Sequence, residues 1–155
     1  AGRTGRGEKG GRVLVQTYSP EHYAIQAAID HDYARFAAAE LPSRQEHLYP
    51  PYAALIRFIV RSETDSAAEQ FAEAAATGLQ AAIDNAGLGG NPLEHRLLGP
   101  APCPIPKLRG MYRYHILLSS PAGDALREAV RTALAGLAEI EGVQWVVDVD
   151  PVDLL

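Results

Sequence analysis

The most constraining feature of the sequence is a change of hydrophobic period, from two to about 3.6 and back, made twice between residues 53 and 150. The stretch AALIRFIVRS (53–62) alternates. Ala54, Ile56, Phe58 and Val60 fall on one face, and Leu55, Arg57, Ile59 and Arg61 on the other. SAAEQFAEAAATGLQAAIDNAG (66–87) then places Ala68, Phe71, Ala72, Ala75, Leu79, Ala82 and Ile83 on one helical stripe. Ser66 and Glu69 are spaced as a capping box, and Gly87 marks the end. HRLLG (95–99) reads as a short second strand, and MYRYHILLSS (111–120) as a third. A second helix is expected from Ser120 as cap and Pro121 as first residue, and VQWVVDVD (143–150) is a fourth strand.

The order β-α-β-β-α-β predicts an α+β, ferredoxin-like sandwich: both helices on one face of a four-stranded antiparallel sheet, with strands one and three central. Arg57 and Arg113 then share the open face. Ahead of this module, GRVLVQT (11–17) predicts a strand. A helix is expected from about Pro20, with Ser19 as its cap, to about Leu41, broken near Asp30–His31. The paired prolines of YPPY (49–52) cannot continue a helix, and the domain boundary is placed there.

Charge is distributed unevenly. The net charge of -5 argues against a general nucleic-acid binder. Yet the 12 residues at the start carry Arg3, Arg6, Lys9 and Arg12 against Glu8 alone. Between His95 and Gly123 there is no acid, while Arg96, Lys107, Arg109 and Arg113 are present. After Arg131 only acids follow. Such local basic segments suit phosphate contacts despite an unfavourable total. Lys107 and Arg109 end the proline-rich stretch GPAPCPIPKLRG, read as a stiff loop that leads to Arg113.

Other chemistries find little support. The single cysteine, Cys103, makes neither an internal disulfide nor a zinc cage, and His22, His31 and His47 have no metal-like spacing with carboxylates. No glycine-rich loop followed by lysine is present, so the chain holds no complete nucleotide site. No apolar run approaches the ~18 residues of a membrane span. A soluble, cytoplasmic setting is expected. RGMYRYHI begins like an RNA-recognition motif. Its stacking aromatics should lie on the open face, whereas alternation puts Tyr112 and Tyr114 on the helix side.

AGRTGRG (1–7) places two arginines three residues apart, each preceded by glycine. Arginines of this kind can stabilise charge developing on a transferring phosphoryl group, and a domain without the phosphate loop can supply them.

AGRTGRG, GRVLVQTYSPEH, YPPY, LLGPAPCPIPKLRGMYRYHILL and WVVDVDP, in this order, resemble the primosomal replication-restart helicases (PriA, primosomal protein N prime) from end to end. On that resemblance residues 1–17 close the second helicase lobe, 18–50 form a helical connector and 51–155 the family's C-terminal domain. It implies a parent that hydrolyses ATP with magnesium, carries a zinc module upstream, unwinds DNA and assembles the primosome at stalled forks. Arg6 would reach the γ-phosphate and Arg3 support it. Branched or fork DNA and single-stranded DNA are the implied partners, with single-strand-binding protein, other primosome proteins and the upstream helicase lobes of the same chain; the setting is cytoplasmic, at the nucleoid, with no membrane. Lys107, Arg109, Arg113 and Arg57 are the residues placed against DNA. Two alternatives stay open: an RNA-recognition-like single-strand binder, and a structural docking module whose basic face meets acids upstream.

Overall fold

The computed structural model describes residues 13–91 and 94–152, and the chain divides into two compact units between Ser43 and Arg44. Its elements run α1 (Tyr23–Asp30), α2 (Tyr33–Glu46), β1 (Ala54–Ser62), α3 (Asp65–Asn85), β2 (Arg96–Leu108), β3 (Met111–Ser120), α4 (Gly123–Ala135) and β4 (Val143–Val149).

In the first unit the expected long helix is two helices. His31 adopts the left-handed conformation (φ 55°) and caps α1, which produces the break expected near Asp30–His31. Asp32 restarts the chain, because its Oδ1 accepts the Arg35 N–H at 2.9 Å. The N-terminal cap is His22, whose Nδ1 accepts from Ala24 N, and not Ser19. Residues 13–17, expected as a strand, have no strand structure among the described residues. Arg3 and Arg6 lie outside the described residues.

The second unit has the predicted sandwich. Its sheet is antiparallel in the order β2-β3-β1-β4, with strands one and three central. Ile56, Phe58 and Val60 of β1 and Ile116 and Leu118 of β3 are fully buried against Phe71, Ala72, Ala75 and Leu79 of α3 and Leu126 of α4. On β4, Trp145 stacks on Phe58, with ring centroids 5.5 Å apart. Tyr114 lies in the same core, and its hydroxyl donates to Asp65 Oδ1 at 3.1 Å, tying β3 to the first turn of α3.

Three local expectations are corrected. Ser66 and Glu69 form no capping box: the N-cap lies two residues earlier, at Thr64, and α3 begins at Asp65. Ser120 does not cap α4, which starts at Gly123; it ends β3 fully buried, and its Oγ accepts the Ala122 N–H (3.0 Å) and lies 2.8 Å from His95 Nδ1. The proline-rich stretch is not a loop either. It is the continuation of β2, which runs 13 residues along β3 with two register shifts, at Leu98/Ala101 and Pro102/Lys107. Prolines are tolerated there because β2 is an edge strand with one side unpaired. Gly99 permits the first shift: it has φ +103°, and a Cβ would stand 2.7 Å from the His115 carbonyl oxygen.

Asp150 closes the opposite edge of the sheet. Its backbone is left-handed (φ 50°), its N–H donates to the Leu55 carbonyl at 2.6 Å, and its Oδ1 accepts the Leu55 N–H at 3.0 Å. Arg127 of α4 donates to Oδ2 at 3.2 Å. One side chain thereby joins β1, β4 and α4. Asp150→Asn, which keeps a carbonyl acceptor and tolerates positive φ, should cost under ~1 kcal/mol. Asp150→Ala strips the acceptor from Leu55 and should cost about 1–3 kcal/mol in urea unfolding.

Candidate nucleic-acid interface

The open face of the sheet is set by strand register. Opposite the helices, β1 presents Leu55, Arg57, Ile59 and Arg61, and β3 presents Met111, Arg113, His115 and Leu117. None of these eight is Phe, Tyr or Trp. The platform on which an RNA-recognition motif stacks bases is therefore missing from its usual strands.

Arg61 and Arg113 stand directly opposite each other on neighbouring strands. Like charges so placed repel, and one would ordinarily expect a carboxylate nearby. On the far side of Arg61, β4 offers Gln144. Among the described residues Arg61, Arg109 and Arg113 form no ion pair. All three line one concavity of about 270 Å³, floored by Ile59, Leu108, Met111 and Val146. Arg113 donates to the Ile105 carbonyl at 3.4 Å, and the buried Nε of Arg61 has no acceptor among the described residues.

Arg109 reaches this concavity at a conformational cost. It and Gly110 form the two-residue turn between β2 and β3, both with positive φ (52° and 85°). This is the turn that favours Asn-Gly, and an arginine in its first position carries left-handed strain of about 1 kcal/mol or more. The stablest hairpin would have another residue here.

The structure separates the four arginine and lysine positions assigned to DNA from sequence. Arg109 and Arg113 come together. Lys107 pairs with Tyr112, on the helix side, with its ammonium 4.1 Å from the Tyr112 ring centroid. Arg57 has the open-face parity but is only 2% exposed; it stands opposite Asp148 on β4, and its guanidinium lies 3.9 Å from Cys103 Sγ. Cys103 is thus the buried neighbour of a buried arginine rather than a loop residue. Arg61 was missed as a site residue. Its parity with Arg57 was plain from the alternation, but its pairing with Arg113 depends on register.

His115 shares this face with Arg57 and Arg113 and is paired with Ile59. Burial, and then the charges of Arg57 and Arg113, hold its pKa below the ordinary 6.5. The imidazole is neutral at physiological pH, and its buried Nδ1 has no partner among the described residues. For metals, the described residues contain no group of three or more His, Cys, Asp or Glu able to hold an ion. None of the described helices is long and apolar enough to cross a membrane.

Two helices on one face of an antiparallel sheet, with an arginine-lined groove on the other, define a ferredoxin-like α+β domain with a basic open face. The chain belongs to the primosomal protein N C-terminal domain family, whose model matches residues 45–152. Over 155 residues it is 37% identical to the replication restart protein PriA of Treponema pallidum, covering 100% of this chain and 22% of that protein. The proteins of the same name from Bacillus subtilis and Haemophilus influenzae are 39% and 32% identical, over 76% and 99% of this chain. The chain spans 14% of the Bacillus protein's length and 20% of the Haemophilus protein's.

Two outcomes follow for the site. The unfolded chain binds more protons than the folded one between the lowered value of His115 and 6.5. The stability held by neutral His115 is therefore complete above that pH and lost as the pH falls through the folded value. Urea midpoints at about pH 7.5 and about pH 5.5 should diverge more for the wild type than for His115→Gln. Separately, Arg109→Asn should leave the fold as stable as before or up to ~1 kcal/mol more so, because asparagine accepts positive φ.

Proposed function

We propose that this chain serves replication restart as a DNA-binding module, with Arg61, Arg109 and Arg113 contacting phosphates on the open face of the sheet. The observation that carries the reading is the Arg61–Arg113 pair, opposed across strands with no neutralising acid among the described residues and joined by a strained Arg109. A protein maintains such repulsion at a cost to its own stability, and an incoming anion relieves it. Guanidinium forks match phosphate oxygens bidentately, which favours a nucleic-acid backbone over a lone carboxylate. The relatives' name, replication restart protein PriA, supports the process.

Within the parent protein, the module would work with an ATP-dependent DNA helicase that acts on branched or forked DNA and assembles the primosome. Arg3 and Arg6 would serve the ATPase: Arg6 facing the γ-phosphate of magnesium-bound ATP, Arg3 supporting it, with the rest of that site, and the zinc module, supplied by other parts of the parent. Single-strand-binding protein and other primosome proteins are the partners this role implies. Lys107 would flank the DNA from the other side of the hairpin, and Arg57 would sustain the positive field from beneath the surface.

The test is fluorescence anisotropy with a forked DNA, a matched duplex and a single strand across a salt series. Arg61→Ala, Arg109→Ala and Arg113→Ala should each weaken binding several-fold. Each should also reduce the slope of log affinity against log salt by about 0.7–0.9 for every phosphate no longer neutralised. Arg109→Asn should bind as weakly as Arg109→Ala while remaining fully folded. Binding indifferent to all of these changes would remove DNA from the groove and leave it as a docking surface for acidic groups of the upstream lobes.

A further inference from the structure

The groove is more than a cluster of cations. Between its arginines lie Ile59, Leu108, Met111 and Val146, and two of these are well exposed: Leu108 at 46% and Val146 at 40%. A site for phosphate alone needs donors and a positive field, and gains nothing from apolar side chains held in water among them. A ligand that is anionic at its ends and apolar in the middle would use both. A nucleotide in a single strand has this character, with a flat face to cover the apolar floor and a phosphate on either side of it. In a duplex the base is stacked away and only the backbone faces the protein.

We propose that the concavity between the β2–β3 turn and strands β1 and β4 takes one unpaired DNA nucleotide, its base on the apolar floor and its flanking phosphates on Arg61, Arg109 and Arg113. The inference rests on the DNA-binding reading above and makes it specific. The size limits the occupant: 270 Å³ falls below the ~300–1,000 Å³ of clefts that enclose drug-sized ligands, so one base is accommodated and not a run of them. Part of the ordering that binding requires is already present: the Arg113 guanidinium donates to the Ile105 carbonyl, and the backbone at Arg109 is set by a two-residue turn. Guanidinium planes also stack on bases, which allows one of the three to cover the base from above. A peptide with acidic and apolar residues would also meet charge and floor. A shallow groove ringed by three forks fits it less well than a deep apolar pocket beside one cation would.

The experiment compares two forked DNAs that differ at a single unpaired nucleotide at the junction. One carries a normal base there, and the other a tetrahydrofuran abasic unit that keeps both phosphates. The full chain should bind the abasic fork about three- to tenfold more weakly, within the range that stacking of one base supports. The salt slopes of the two forks should be the same. Leu108→Ser and Val146→Thr, both at exposed positions, should shrink the difference between the forks without changing either slope. Fluorescence of 2-aminopurine at the junction should change on binding, and less so with these variants. Equal affinity for the two forks, with the arginine dependence intact, overturns the nucleotide and leaves backbone binding. Equal affinity together with displacement of the fork by an acidic, apolar-ended peptide assigns the floor to a peptide. Loss of all arginine dependence removes the DNA reading itself, and this inference with it.

Discussion

Phe58 is sealed between the sheet and the helices, with Ile56 and Val60 on either side of it and Ile116 and Leu118 beside them on β3. Each such side chain contributes about 1.5–3 kcal/mol by leaving water, and together they hold β1 and β3 in a single register. A slip of one residue would turn these five apolar groups outward and bring arginines inward. The apolar face of the sheet therefore determines what stands on the other face. Arg61 opposes Arg113 because Phe58 opposes Ile116.

The two edges of the sheet are managed differently. On β2, Pro100, Pro102, Pro104 and Pro106 and two register shifts remove the regular pattern of free donors. An edge so treated resists further strand pairing. The same prolines stiffen the approach to Arg109 and carry Cys103 over Arg57. On β4 the closing device is Asp150, which returns the chain to Leu55 and engages Arg127. Each end of the groove-bearing sheet is thus fastened by residues outside the groove, so the arginines can be altered without loosening the fold.

Much of the architecture was legible beforehand because period-two and period-3.6 patterns each leave one apolar face, and only a few layered arrangements bury all of them. The central strands followed from the order of elements, the helix stripes from the 3.6-residue period, and the helix-side placement of Tyr114 from alternation. Element ends were less legible. Thr64 and Ala122, not Ser66 and Ser120, occupy the caps, since Ser120 is drawn into the core beside His95 and Asp65 is engaged by Tyr114. Local capping preferences of about 1 kcal/mol yield to such tertiary contacts. The proline run was misread for a related reason. Proline argues against a central strand, but only the finished sheet reveals that β2 lies at an edge.

For the site, the order of residues alone set the supply of charge: a stretch from His95 to Gly123 without acids, with Arg109 and Arg113 inside it, and Arg57 and Arg61 on one parity of β1. It also determined that the tyrosines of β3 face the helices. Which cations meet was decided by tertiary structure alone. Strand pairing joined Arg61 to Arg113, burial withdrew Arg57 beneath the surface, and the register of the hairpin sent Lys107 to the Tyr112 side. Spacing along one strand specifies a face. Proximity between strands depends on register, and register is chosen by the core as a whole.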